Sequence, residues 1–342
     1  MLQLRVRCPL SASEVTDGPA NESIACEMPL VSVIVPAYNA AKTIARTLQS
    51  VCAQTYRNIE VIVVDDGSTD ETPEIAESMA QADHRIRLIR KDNGGSASAR
   101  NCAIRAASGM FLAPIDADDL WHPDNLTKQL AALRATNFEA VLCFAASHTI
   151  DENDAVIGDS LWKNRPRPRA NFIGFLNRNW LGNGSAAVMR RDAVVAVGGY
   201  DESLRSAEDW KLAMQLAAHG AIITIPDSLI SYRITPNNKS LNRATLTACS
   251  IAAIESMEQQ HPGVGRWRYW HAKSRIYVRM ADHLMTHGSW RDAAGYLVKA
   301  CAANPLWFAN RSVVGLLIWR LPCHAAMSLA GPPKRSEAHG DR

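Results

Sequence analysis

The chain has 342 residues, 47% of them apolar and 21% charged, values ordinary for a soluble globular protein with one large domain or a domain plus an extension. A net charge of +3 gives no reason to expect a nucleic-acid partner, and nowhere do roughly eighteen apolar residues run together, so no spanning helix is expected. The eight cysteines form no C-x-x-C pair, which argues against a zinc site; Cys52, Cys102 and Cys143 fall in predicted elements and fit small buried hydrophobes in a reducing cytoplasm.

Residues 1–28 show little periodicity and read as a mobile leader, with no continuous apolar stretch behind Arg5 and Arg7 to suggest a secretory signal. Val31–Pro36 is a short β-rich apolar run, the mark of a buried strand. Ala41–Gln54 then carries Ile44, Leu48 and Val51 at helical spacing. Ile59–Asp65 is a second buried strand, broken at Asp66-Gly67-Ser68. A helix follows, capped by Asp70 or Thr72, with Pro73 in its first turn. Ile86–Arg90 alternates only partly and is read as a third strand. Helix Ser96–Ala107, strand Met110–Ile115, helix Pro123–Arg134 and strand Ala140–Ala145 continue the pattern. Such alternation argues for an α/β fold with a mainly parallel sheet covered by helices on both faces. Beyond residue 150 the regularity fades. Lys163–Arg169 reads as an extended basic loop, Glu208–His219 as a helix and Ala221–Ile225 as a strand. From Leu246 to about Arg320 the chain is helical, with breaks at Pro262-Gly263, Gly288 and Pro305.

Acidic residues gather at strand ends, as Asp65 and Asp66 and again as Asp116, Asp118 and Asp119. In a parallel sheet, ligands bind outside the carboxyl ends of the strands. Five carboxylates there would repel one another unless a cation or hydrogen-bond donors compensated. A divalent metal on a diphosphate is a natural partner, since Mg2+ and Mn2+ favour oxygen ligands. Asp119 by itself reads more simply as a cap or turn residue.

Five short motifs in one order carry a family resemblance. They are Pro36-Ala37-Tyr38-Asn39, Val64–Asp70, Asn93-Gly94-Gly95 with Ala99-Arg100-Asn101, Asp116-Ala117-Asp118-Asp119, and Gly198-Gly199-Tyr200-Asp201 leading to Glu208-Asp209-Trp210. Over about residues 30 to 235 the chain resembles the family 2 glycosyltransferases of the GT-A fold. The resemblance implies an inverting transfer from a nucleotide sugar, a UDP-sugar by preference, to an acceptor hydroxyl. It places Pro36, Tyr38 and Asn39 in the nucleotide pocket, with Asp65 and Asp66 beside it and Asp66 on the base. Asn93, Gly94 and Arg100 would border the ribose and donor. Asp116 and Asp118 form the D-x-D element, whose alternation puts both carboxylates on one side. Asp118 is the first choice as ligand of Mg2+ or Mn2+, with Asp116 reaching the ribose or the metal's water. Asp209 would be the general base, with Glu208 as its neighbour. Without the upstream motifs, that pair would read as an acidic helix start, and Trp210 suits the core as well as an acceptor.

Tyr232-Arg233 and Ser240 resemble the family's closing loop, although Ile234-Thr235-Pro236 stands where many bacterial members carry a histidine. The Q-x-x-R-W element of processive synthases is missing, since Gly263 precedes Arg266-Trp267 where glutamine belongs. A non-processive enzyme of polysaccharide or glycoconjugate synthesis follows. Residues 29–240 form the expected GT-A domain, 241–325 a helical appendage and 326–342 a flexible tail. His283 and His287 have metal-ligand spacing but read as an ordinary helix face, because Leu284 stands where a metalloprotease motif needs glutamate. Leu306–Leu321, rich in Trp and Arg, packs on the domain or lies in a membrane interface. The expected setting is the cytoplasm, with room for peripheral contact at the inner face of the membrane and for a carbohydrate or lipid-linked acceptor. Two alternatives stand beside this reading: a sugar-nucleotide nucleotidyltransferase, and a degenerate nucleotide-sugar-binding or scaffold protein.

Overall fold

The computed structural model describes residues 28–158, 171–235 and 241–304. The leader to residue 27, the basic loop Lys163–Arg169, Ser240, the stripe Leu306–Leu321 and the tail lie outside the described residues.

Val31–Ala37 (β1), Ile59–Asp65 (β2), Ile86–Arg90 (β3) and Phe111–Pro114 (β4) pair in parallel, in the spatial order β3-β2-β1-β4. Between them run Ile44–Cys52 (α1), Thr72–Ala82 (α2) and Ser96–Ala106 (α3). Strands covered on both faces need apolar residues at successive positions, and β1 splits its residues accordingly. Val31, Val33 and Val35 join the core cluster under α1 and α2, while Ile34 joins the one on the other face. The register sets Ala37 beside Asp65, which brings the carboxyl ends of β1 and β2 to one edge. At the start of α2, Asp70 Oδ1 accepts from Thr72 N at 3.1 Å, with Pro73 in the first turn.

Leu120–Trp121 (β5), Asn125–Arg134 (α4), Leu142–Ile150 (β6), Val156–Gly158 (β7), Phe172–Asn177 (α5), Ala187–Arg190 (β8), Arg191–Ala196 (α6), Glu208–His219 (α7) and Ile222–Arg233 (β9) complete the α/β part. They extend one nine-stranded sheet among the described residues, in which β8 runs antiparallel between β4 and β6. The expected strand Ala221–Ile225 is the first part of a longer one. Beyond it, the pairing with β6 jumps from Ala145↔Ile225 to Ala146↔Ser228, so Pro226 and Asp227 are passed over as an irregularity. As a result Tyr232 and Arg233, expected in a closing loop, end β9.

Arg243–Gln260 (α8), Arg266–Thr286 (α9) and Trp290–Ala303 (α10) follow. No described helix is long and apolar enough to cross a membrane. Ile251, Ile254, Met257, Tyr269 and Ile276 of α8 and α9 lie in the same core cluster as Trp210, Leu212 and Leu216 of α7. A smaller cluster of Ala281, Met285, Ala293 and Leu297 joins α9 to α10. The C-terminal helices are therefore built onto the α/β layer through shared apolar burial, the main stabilising term in folding.

Candidate active site

A cleft of about 1860 Å³ opens over the carboxyl ends of β1, β2 and β4, the start of α7 and the end of β9. Of the residues the resemblance assigns to donor, metal or base, all but Asp65 line it, namely Pro36, Tyr38, Asn39, Asp66, Asn93, Gly94, Arg100, Asp116, Asp118, Glu208 and Asp209, and so does Arg233.

The loop after β2 is held by its own acids. Asp65 is 1% exposed, and its Oδ1 accepts from Ser68 N at 3.2 Å. Asp66 accepts from Gly94 N at 3.0 Å, Gly95 N at 2.7 Å and Lys91 Nζ at 2.7 Å. Its carboxylate thus ties the β2 loop to the Asn93-Gly94-Gly95 turn. Gly67 has φ +76°, and a Cβ there would sit 3.0 Å from Asn93 N, so the turn needs glycine. Asn39, itself at φ 49°, accepts from Thr69 N at 2.9 Å and donates its own N–H to Ser68 Oγ at 3.0 Å. Tyr38 remains half exposed at the lip.

The loop after β4 is arranged differently. Asp119 is fully buried and accepts from Ser185 Oγ and from Arg233 N, so it is an internal tether rather than the cap or turn residue expected. Burial, with Asp118 and Asp116 beside it, pushes its pKa well up. Arg233 is 1% exposed. Its Nε donates to Asp118 O at 2.7 Å, its Nη1 to Asp151 O at 2.6 Å, and its Nη2 pairs with Asp154. This arginine clamps the backbone of the D-x-D element.

Arg100, 4% exposed, donates from Nη2 to Asp116 and from Nη1 to Glu208 at 2.8 Å. The paired charge-assisted bonds expected on a diphosphate are made here to two carboxylates, which join the D-x-D loop to the start of α7. Gly184 faces this pair, where a Cβ would lie 3.3 Å from Nη2. Asp118 differs from its neighbours: among the described residues no side-chain donor is bonded to its carboxylate. Burial and the charge of Asp116 raise its pKa to about 6.

At the start of α7, Ala207 holds a left-handed φ of 61°, a conformation costly for a residue with a Cβ. It delivers Glu208 and Asp209 into the cleft. Burial opposes ionisation of Glu208, but Arg100 and Ser96 Oγ outweigh it and hold the pKa low. Burial and the Glu208 charge raise Asp209 to about 6, and its Oδ1 accepts from Trp210 N at 2.6 Å. Trp210 itself is core, its Nε1 donating to Phe175 O at 2.7 Å.

Among the described residues no three His, Cys, Asp or Glu side chains form a metal-holding group, and His283 and His287 simply stack with ring centroids 4.2 Å apart. The donor set nevertheless suits Mg2+ or Mn2+ carried by a diphosphate, which needs only one or two carboxylates from the protein. Asp118 offers an oxygen donor with no competing proton donor. Sequence reasoning missed Lys91, Ser185 and Ala207, whose parts depend on contacts distant along the chain. It also missed the contribution of α8 and α9, which place Arg243, Arg279 and His283 on the cleft wall.

The family model described as Glycosyl transferase family 2 matches residues 32–198. An uncharacterised glycosyltransferase of Rickettsia prowazekii is 31% identical over 223 residues, spanning 63% of this chain and 68% of its own. Among solved structures, S. aureus TarS 1–349 in complex with UDP-GlcNAc superimposes with a TM-score of 0.56 at 20% identity, covering 79% of this chain and 81% of that one. The mannosyltransferase PcManGT of Pyrobaculum calidifontis, in complex with GDP-Man and Mn2+, gives 0.57 at 22% identity over 89% and 82%. These likenesses displace the nucleotidyltransferase alternative. The chain belongs to the family 2 glycosyltransferases, enzymes that transfer a sugar from a nucleotide-sugar donor.

Proposed function

We propose that this enzyme transfers a single sugar, with inversion, from a UDP-sugar to an acceptor hydroxyl in polysaccharide or glycoconjugate synthesis. The observation that carries the reading is the pairing of two carboxylates in one cleft, Asp118 and Asp209, both raised to about 6. Each sits on one of the two segments that Arg100 joins. A general base works best with its pKa near the operating pH, and Asp209 meets that condition through burial beside Glu208.

In this reading Pro36, Tyr38 and Asn39 wall the nucleotide pocket, and Asn93 and Gly94 border the ribose. A carboxylate has about four lone-pair sites. Asp66 uses three of them, which leaves one for a pyrimidine N–H. Asp118, with Asp116, would hold Mg2+ or Mn2+ against the diphosphate, and the metal supplies charge neutralisation on the leaving nucleoside diphosphate. Arg233 fixes the Asp118 backbone and so the direction of its carboxylate. Asp209 takes the proton of the acceptor hydroxyl as that oxygen attacks the anomeric carbon opposite the leaving group. The GT-A domain comprises residues 29–240, and the helices from 241 onward extend it toward the acceptor. Trp267, 62% exposed, and Trp270, with Arg268 and Arg266 stacked over their rings, favour a peripheral contact with the inner face of a membrane and so a lipid-linked acceptor.

A panel of UDP-, GDP- and dTDP-sugars, scored for manganese-dependent binding and slow hydrolysis, tests the donor. Asp209→Asn is expected to lower turnover by roughly 10²–10⁴-fold while leaving UDP affinity intact. Unchanged turnover would remove the base from this scheme.

A further inference from the structure

The cations of the cleft are unevenly paired with its acids. Arg100 is matched by Asp116 and Glu208, and Arg233 and Arg46 by Asp154. Three further arginines line the cleft without an ion pair among the described residues: Arg205, on the loop into α7, Arg243, at the start of α8, and Arg279, on α9. Nη2 of Arg279 reaches only the Asn177 carbonyl, at 3.4 Å. Partial desolvation and the charge of nearby Arg275 push its pKa down, although the residue as a whole is exposed. His283 lines the same wall, its pKa lowered by burial, His287 and Arg243. Asp282 is the one acid that α8 and α9 place there.

On the wall formed by the loop into α7, α8 and α9, the three guanidinium groups outnumber the acids Glu202 and Asp282, and their planar forks match phosphate oxygens. The wall is tied to the base rather than to the nucleotide loops. Arg205 lies four positions before Asp209, and α8 shares its core with Trp210 of α7. We infer that Arg205, Arg243 and Arg279 form an anion subsite on the acceptor side of the cleft, so that the acceptor carries a phosphate group near the hydroxyl it presents. The inference rests on the reading of Asp209 as the base that faces the acceptor. A phosphate on a lipid carrier and a phosphate on a soluble sugar share this chemistry.

The test titrates the full chain, saturated with UDP and Mg2+, with glucose 1-phosphate and, separately, with dodecyl phosphate. Binding of either is expected, with affinity lowered about tenfold or more in the Arg243→Gln/Arg279→Gln double variant. UDP affinity should stay within about twofold in that variant, since an uncontacted site is unaffected, and an unchanged melting curve shows that it folds. Tighter binding of dodecyl phosphate assigns the lipid source, and equal binding the soluble one. No phosphate binding by the wild type overturns the subsite. So does phosphate affinity unchanged in the variant, or a parallel loss of UDP affinity, which would hand the arginines to the donor. Absence of UDP binding in the wild type would instead count against the donor reading; the phosphate titration, repeated without UDP, would still judge the subsite.

Discussion

Two acid-rich loops leave the same edge of the sheet, one after β2 and one after β4, and they are organised in opposite ways. After β2, Asp65 and Asp66 are nearly inaccessible and accept from Ser68, Gly94, Gly95 and Lys91. Their charge shapes a rigid wall. After β4, Asp116 and Asp119 are likewise occupied, by Arg100, Ser185 and the Arg233 backbone, but Asp118 has no side-chain partner among the described residues and sits near neutrality in pKa. Five acids that look alike in sequence thus divide into four that other groups of the protein already bond and one, Asp118, with no side-chain donor among the described residues. Mutual repulsion of the whole group, the argument available from sequence, is too coarse: hydrogen-bond donors settle most of it, and the proposed demand for a cation falls on one carboxylate.

The largest effect that can break this contrast comes from Asp118→Asn. If Asp118 is the open position, turnover should fall by at least roughly 100-fold, as for loss of one strong electrostatic stabiliser, while the protein becomes more stable at pH 8. The sign follows from the raised pKa. The folded state prefers the protonated acid, so its stabilising contribution is complete below the ordinary value of 3.8 and is lost as pH rises through about 6. Asparagine removes the penalty of a buried charge, on the order of 2 kcal/mol at pH 8. Melting curves should show that gain shrinking toward zero as pH falls to 4. A variant less stable than wild type at pH 8 would mean that Asp118 is held by the fold after all.

Asp66→Ala tests the other loop and should act in the opposite sense. It leaves Lys91, Gly94 and Gly95 without their acceptor. Losing a buried charged acceptor costs about 2–4 kcal/mol, read as a lower midpoint in urea. Stability within 0.5 kcal/mol of wild type, roughly the noise for a neutral surface change, would show that the wall does not depend on it.

The pH profile of turnover is the next effect in size. With Asp209 at about 6, activity is expected to rise about tenfold per pH unit below that value and level off above it. Arg100→Lys keeps the charge but not the fork, so it should move this break by altering the balance between Glu208 and Asp209. A break unmoved in that variant would separate the base from the Arg100 bridge.

How much of this was legible in sequence depends on how local each cause is. β2 could be read to the residue, because a strand buried on both faces is a continuous Val/Ile run closed by a turn, and β3 matched its expected bounds although it alternates only partly. The carboxyl-edge placement of Asp66, Asp116 and Asp118 followed from that pattern. The far end of β9 was hidden by Pro226 and Asp227, which look like a terminator and are in fact an irregularity in the pairing with β6. Arg233 was consequently read as part of a mobile loop instead of a buried clamp. The bridge Arg100 makes to Asp116 and Glu208 could not be read, because these partners stand 16 and 108 positions away, beyond any local pattern. The arginines of α8 and α9 had no motif at all; only the shared core with α7 brings them to the cleft.

The smallest effect sharpens the description of the β2 loop. Arg90 approaches Asp65 at 3.7 Å, but its side chain is 63% exposed, whereas Asp65 is buried and already accepts from Ser68 N. An exposed cation at that distance is screened by water and salt, so Arg90→Ala should cost less than about 1 kcal/mol and lose even that in high salt. Urea midpoints at low and high ionic strength measure it. A larger, salt-insensitive cost would mean that the loop relies on a charge from β3, and the view of it as a wall held by its own hydrogen bonds would need to include the neighbouring strand.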